Sequence, residues 1–232
     1  LCWILYGTFR ATFASTGKDS WSGRSRFACS ECCFFSLFAE RFATFNNALN
    51  VLSQGVILTF LALALTLVIT AGGIDLSVVS IANLSGVAGA MVLASHVDAQ
   101  ALGISPGVII LLAILSALAV SLICGLINGL VITVVGVPAI IATLGTNGLF
   151  IGAAIILTEG HGVRGFPEEF LFIGSGTILE IPMPLIIFIT VALMVSLMLK
   201  KSSQGFKMYM LGSSLLVSRF LGINVNRFIV KS

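Results

Sequence analysis

Charged side chains are scarce in this sequence, because Asp, Glu, Lys and Arg together make up only 9% of its 232 residues. A soluble domain of average composition has about 25% charged residues. Hydrophobic side chains account for 58% of the chain, which leaves too little polar surface to cover a water-soluble globule. The composition therefore excludes an ordinary soluble domain and indicates an integral membrane protein.

Motifs for catalysis and nucleotide binding are missing as well. The phosphate-binding pattern G-x-x-x-x-G-K-[ST] does not occur, so we expect no ATP to bind to this chain through such a loop. Neither His96 nor His161 belongs to a recognisable arrangement with Ser or Cys. The net charge of +3 comes without an aromatic-interleaved basic patch, which argues against nucleic acid as a partner. The sequence thus predicts no catalytic residue and no enzymatic activity.

Long apolar runs are what the sequence does contain, and five of them are long enough to cross a membrane as helices. They are continuous rather than alternating, and they are too long for the strands of a barrel. The sequence therefore predicts an all-α, polytopic membrane helix bundle within residues 34–232, with spans at about 49–71, 74–95, 107–135, 139–158 and 183–199.

The distribution of charge predicts the orientation of these spans. Residues 200–232 contain six basic residues and no acidic one, whereas residues 159–182 contain four Glu and a single Arg. Lys and Arg favour the cytoplasmic side of a membrane. We therefore expect the stretch 200–227 to be cytoplasmic and 159–182 to lie outside. The short joints at 72–73 and 136–138 then lie at the cytoplasmic side or are sunk into the membrane there.

The first 33 residues do not fit this pattern. They contain no apolar run of spanning length, no signal-peptide layout and no initial Met. We expect a foreign or out-of-frame segment, with a genuine disordered tail as the alternative. Its cysteines include a C-x-x-C pair, but no second pair and no nearby His complete a tetrahedral set, so no metal site is predicted. Cys124, within a span, is expected to be a small buried hydrophobe.

One joint between spans carries polar residues in an apolar surrounding. Gly72 and Gly73 are expected to break the chain, and Asp75 would then stand in the first turn of the next helix, where it caps free N–H groups. The alternative is a broken-helix site on a solute pathway. Other polar residues within the apolar runs can serve either as contacts between helices or as ligands for an uncharged polar solute. The candidates for the translocation path are Asp75, Ser77, Asn83, Asn128, Thr143, Thr146 and Asn147.

The stretch 203–227 mixes apolar residues with glycines and spaced positive charges. It is too long for a tight turn, and we expect one or two short helices on the cytoplasmic surface. Apolar residues exposed in such a stretch suggest a docking surface for a partner. The alternative is a solvated loop that only sets the topology.

Four segments in order, "VITAGGIDLSVVSI", "GLINGLVIT", "PAIIATLGT" and "GFKMYMLG…SRFLGINVNR", resemble the permease subunit of bacterial ABC importers for ribose and similar monosaccharides. Close relatives of that family serve autoinducer 2. The resemblance covers about residues 34–232 and implies that the chain is truncated at both ends. The sequence departs from the family pattern at Val79 and Ile151, and in the cytoplasmic stretch at Ser214, Val217 and Ser218.

The resemblance implies a multi-pass protein of the bacterial inner membrane. It also implies a second permease, a cytoplasmic ATPase subunit that binds the ATP, and a periplasmic solute-binding protein as partners beside the lipid bilayer, with no cofactor in this chain. The expected contacts with the ATPase are Gly205, Tyr209, Gly212, Arg219, Gly222 and Asn224.

The predicted function is thus ATP-driven import of ribose-like sugars or related small polar solutes. A self-contained secondary transporter is the alternative. It is disfavoured because no Lys, Arg or His lies within the five spans, whereas ion-coupled pumps usually keep several ionisable groups there. An intramembrane enzyme that uses Asp75 is a remote alternative, because no second acid, metal ligand or nucleophile accompanies this carboxylate.

Overall fold

The computed structural model describes residues 44–95, 103–178 and 180–222. The predictions for the N-terminal segment 1–33 and for Asn224 fall outside these residues. The chain divides into two compact units, residues 1–52 and 53–232. Apart from the first turns of the first helix, all that follows concerns the second unit.

Helices dominate the described residues. In chain order they are α1 (Phe45–Thr70), α2 (Val78–Ala94), α3 (Pro106–Leu130) with its π-helical continuation (Val131–Val135), α4 (Ala139–Thr158), α5 (Glu168–Ser175), α6 (Met183–Lys201), α7 (Ser203–Ser213) and α8 (Leu215–Phe220). A two-stranded antiparallel ladder lies between α5 and α6. It pairs β1 (Thr177–Ile178) with β2 (Ile181–Pro182), in the register Thr177 opposite Pro182.

Four of these segments are long and apolar enough to cross a membrane: Leu49–Thr70 of α1, Pro106–Val135, α4 and α6. The apolar helix α2 is shorter, with 17 residues. Many apolar side chains on these helices are exposed, including Leu58 at 70% and Ile156 at 78%. Such surfaces are stable only against lipid tails or further protein. The predicted all-α membrane bundle is confirmed.

The second helix begins later than the sequence predicts. It starts at Val78 rather than at residue 74, and residues 71–77 form a non-helical segment that we call the joint. The expectation that Asp75 stands in the first turn of this helix is therefore wrong. Asp75 instead precedes the helix, and Ser77 occupies the position just before its first residue.

A small core forms where α2, α3 and α4 meet. Leu84, Cys124, Phe150 and Ala154 are all buried there, as expected for Cys124. The start of α2 lies beside the start of α4, whereas its far half lies beside the first half of α3. The chain direction therefore alternates through these three helices, which is the arrangement required of consecutive spans.

α2 and α3 approach each other closely at Gly89. A Cβ atom built on Gly89 would lie 3.2 Å from the carbonyl oxygen of Ala113 and 3.5 Å from the Cβ of Ala117. Small residues allow helix backbones to approach in this way. Gly125 and Gly148, in contrast, have open space where a Cβ would stand.

This packing predicts that Gly89→Leu destabilises the bundle, while Gly125→Leu does not. A leucine at 89 must displace the α3 backbone, and overpacking of this kind costs about 1–3 kcal/mol. We expect the melting temperature of the detergent-purified protein to fall for Gly89→Leu and to stay close to that of the parent for Gly125→Leu. Equal melting temperatures for the two variants would contradict the helix contact.

Candidate functional site

The joint begins with a glycine turn at the end of α1. Gly72 adopts a φ of +80°, which favours glycine, and its N–H donates to the carbonyl of Ile69 at 2.9 Å. The N–H of Gly73 donates to the carbonyl of Val68 at 3.0 Å. The chain therefore leaves the helix at the place where the sequence predicts the break.

Asp75 forms hydrogen bonds within the joint. Its Oδ1 accepts a hydrogen bond from the backbone N–H of Ser77 at 2.8 Å and from the Ser77 hydroxyl at 2.6 Å. A carboxylate that bonds to the backbone two residues on holds the chain in a tight local turn. This turn keeps residues 75–77 out of the helix and aims the Ser77 hydroxyl toward α3.

Asn128 on α3 completes the connection. Its Nδ2 donates to the Ser77 Oγ at 2.6 Å, so Ser77 links the carboxylate to the amide of another helix. Ser77 is fully buried and Asn128 is 5% exposed. The Oδ1 of Asn128 is buried and has no hydrogen-bond partner among the described residues. Because a buried acceptor without a partner is costly, this oxygen is the atom of the site that is ready to accept a bond from a hydroxyl or water.

Thr143 on α4 holds the joint from the other side. The N–H of Leu76 donates to its Oγ1 at 3.2 Å, and that hydroxyl donates to the carbonyl of Ala139 at 2.8 Å. Thr143 is 1% exposed. We call Asp75, Ser77, Asn128 and Thr143 the polar cluster. Two helices, α3 and α4, thus meet the joint through polar side chains.

The other candidates for the translocation path lie outside the polar cluster. Thr146 is buried, but its hydroxyl bonds back to the carbonyl of Ala142 at 3.1 Å within α4, which is a common way to satisfy a threonine in a helix. Asn147 is half-buried, and Asn83 is exposed. The structure therefore joins four of the seven candidates and leaves three apart.

Asn83 instead lines a cavity of about 430 Å³ between α2 and the far end of α4. Thr158 and His161 line the same cavity. Sequence reasoning set His161 aside because no partner stands near it in the chain. Only the fold brings the loop after α4 beside α2. Within the described residues, no group of three or more His, Cys, Asp and Glu could hold a metal ion.

The stretch after α6 folds into α7 and α8, in line with the expected short helices. Ser202 caps α7 by accepting a hydrogen bond from the N–H of Gly205 at 3.1 Å. A Cβ on Gly205 would overlap the backbone of Leu199, so this glycine allows the tight turn out of α6. Gly212 likewise packs against the backbone of the joint, near Thr70 and Gly72.

The remaining residues proposed for an ATPase contact lie differently. Tyr209 is 54% exposed, and Gly222 has a φ of +75° with open space around it. Arg219 belongs to α8. Of these candidates, Tyr209 and Gly222 are thus available at the surface, and Gly205 is buried. Gly212 is exposed, but the backbone of Thr70 lies where its side chain would be.

The sequence of the described bundle matches a known family. The family described as "Branched-chain amino acid transport system / permease component" matches residues 47–232. The chain belongs to this permease family. It is also 33% identical over 205 residues to the autoinducer 2 import system permease protein LsrD of Salmonella typhimurium (strain LT2), and 34% identical over 203 residues to the LsrD protein of Escherichia coli (strain K12 / DH10B).

These alignments cover 85% of this chain but only 58% of each relative. The chain therefore spans a little more than half the length of the curated permeases that it matches. No solved structure matches it significantly. Membership of the permease family, together with the apolar helices, makes this chain a multi-pass membrane protein, as the sequence resemblance implied.

Proposed function

We propose that this permease forms the solute path of an ATP-driven importer in the bacterial inner membrane, and that its solute is a small, uncharged, hydroxyl-rich molecule such as a ribose-like sugar or autoinducer 2. The observation that carries this proposal is the polar cluster. The Asn128 amide of α3 and the Thr143 hydroxyl of α4 converge there on the joint with its own Asp75 and Ser77, and the buried Asn128 Oδ1 has no partner among the described residues.

The chemistry of the cluster favours a neutral solute over a charged one. Apart from Asp75, its members are two hydroxyls and one amide, which both donate and accept hydrogen bonds. Asp75 already accepts two bonds from Ser77. A sugar-like molecule can exchange hydrogen bonds with such groups without placing a second charge in the membrane. The names of the autoinducer 2 permeases that resemble this chain agree with a solute of that kind.

The energy source in this proposal lies in a separate subunit. Apolar and aromatic side chains are exposed on α7 and α8, among them Phe206, Tyr209 and Phe220. An exposed apolar surface of this kind is typical of a binding site for another protein. We propose that a cytoplasmic ATPase covers it and binds the ATP. A second permease copy or homologue would cover exposed faces of the spans, and a periplasmic solute-binding protein would deliver the solute.

Transport assays in membrane vesicles test this function. We expect ribose or autoinducer 2 uptake by vesicles that contain the permease, a cognate ATPase and the binding protein to require ATP and to stop with vanadate. A protonophore or a sodium ionophore should leave this uptake unchanged. Uptake that persists without ATP and collapses with an ionophore would instead establish a self-contained secondary transporter.

Thiol labelling tests the proposed orientation. Glu168 and Tyr209 are both exposed, the first in the segment 159–182 and the second on α7. In intact cells with a permeable outer membrane, Glu168→Cys should react with a membrane-impermeant maleimide, and Tyr209→Cys should react only after the inner membrane is opened. The opposite pattern would reverse the orientation and place the ATPase surface outside.

A further inference from the structure

Two glycine backbones meet where α7 approaches the joint. A Cβ on Gly72 would lie 3.0 Å from the Cα of Gly212 and 3.6 Å from the carbonyl oxygen of Leu211. A Cβ on Gly212 would overlap the carbonyl oxygen of Thr70 and lie 3.2 Å from the Gly72 nitrogen. No side chain fits between these segments, so any movement of α7 toward the joint must move the joint itself.

The contact lies next to the buried side of α7, although Gly212 and Gly72 are themselves exposed. Met208 is 5% exposed and Leu211 is 3% exposed, whereas Phe206 and Tyr209 on the same helix are more than half exposed. α7 therefore has one face packed into the protein and another face at the surface. Gly212 comes directly after the buried Leu211, next to the turn that closes α1.

The joint is held from its other end by the polar cluster. Within residues 71–73, the backbone hydrogen bonds run only to carbonyls of α1, such as that of Ile69. Beyond them, Leu76 and Ser77 bond to α4 and α3. The joint is thus a short segment between two attachments, with α7 at one end and the polar cluster at the other.

We propose that Gly212 is a positioning residue and that α7, through its contact with Gly72, keeps the polar cluster closed. When α7 is displaced, the joint shifts, and the hydrogen bonds that connect Asp75, Ser77 and Asn128 open to water. The significance of this brace for transport rests on the proposed function, in which the exposed face of α7 meets an ATPase. The brace itself is a property of this chain.

The reactivity of a buried thiol next to the cluster measures this opening. Ser80 is 1% exposed, and its hydroxyl bonds only to the backbone carbonyl of Ser77, at 2.8 Å. In a protein with its five native cysteines replaced, Ser80→Cys should react slowly with N-ethylmaleimide in detergent. Adding Gly212→Ala should accelerate the reaction by about five-fold or more, because the new methyl group pushes α7 and the joint apart.

Matched variants separate the brace from a general loss of stability. Ser213→Ala changes an exposed neighbour whose hydroxyl bonds only to Met210, and it should leave the rate unchanged. Leu211→Ala loosens the packed face of α7 without inserting an atom and should also accelerate the reaction. The native Cys124 is tested in a second background, which keeps this cysteine and has Ser80 intact. Its reaction with N-ethylmaleimide reports on the core and should stay slow in every variant.

The labelling rates decide whether α7 braces the joint or whether the variants only destabilise the whole bundle. Faster labelling of Ser80→Cys with Cys124 still protected supports the brace. Unchanged labelling in both Gly212→Ala and Leu211→Ala overturns it, and so does equal acceleration at Cys124, because that result shows unfolding of the bundle. A cognate ATPase with nucleotide, added to the protein with Gly212 intact, should change the Ser80→Cys rate. If only this last arm fails, the brace stands and the ATPase contact on α7 is wrong.

Discussion

Replacing Asp75 with leucine should sharply reduce the yield of folded permease. The substitution removes the acceptor of two hydrogen bonds from Ser77, whose side chain is fully buried. Leaving a buried donor without a partner costs about 1–3 kcal/mol for each group. The joint would also lose the local turn that aims Ser77 at Asn128, so the connection to α3 should fail with it.

Asparagine at the same position should restore folding, because its side-chain oxygen still accepts both hydrogen bonds. The measurements are the monodisperse fraction on size exclusion and the melting temperature in detergent. Asn83→Leu serves as the matched control, since it also exchanges a polar for an apolar side chain but at an exposed position. Normal folding of Asp75→Leu would contradict the role of the polar cluster in holding the joint.

The same pair of variants separates structure from transport. If Asp75→Asn folds normally and ATP-dependent uptake persists, then the carboxylate serves to hold the joint. If it folds normally and uptake is lost, the negative charge itself is required in the transport cycle. The polar cluster would then be a functional site and more than a link between helices.

Replacing Gly205 with valine should abolish uptake while leaving the protein in the membrane. Gly205 is buried, and any Cβ at this position overlaps the backbone of Leu199 at the end of α6. Backbone atoms cannot move aside as a flexible side chain can, so the strain should reach about 3 kcal/mol, the upper end of the usual cost of overpacking. The turn between α6 and α7 must open, and α7 then leaves its place beside the joint.

The control for this variant is Gly145→Val on α4, where a Cβ meets open space. Membrane content is measured by immunoblot of the membrane fraction, and transport by ATP-dependent uptake into vesicles. We expect both variants at parental levels in the membrane, with uptake retained only in Gly145→Val. Parental uptake by Gly205→Val would show that transport does not require the close turn between α6 and α7.

Several features of the fold could be predicted from the sequence because they depend on local composition. The fourth helix occupies residues 139–158 as predicted, because Pro138 separates it from the preceding span and an uninterrupted apolar run follows. The start of the second helix was harder to predict. The Asp75 side chain competes with the helix for the backbone N–H of Ser77, and Leu76 donates to Thr143. That choice depends on a residue 67 positions further along the chain.

The sequence by itself determined that this protein is a bundle of membrane helices, because the length of an apolar run and the scarcity of charge are sufficient for that conclusion. It also marked the polar residues that stand out from such a background. Only the tertiary structure decided which of them meet. Ser77 and Asn128 lie 51 positions apart, and Asn83 and His161 share a cavity that no spacing in the chain reveals. The glycines show the same division, because nothing in the sequence reveals that the backbones of Leu199 and Thr70 lie where the side chains of Gly205 and Gly212 would be.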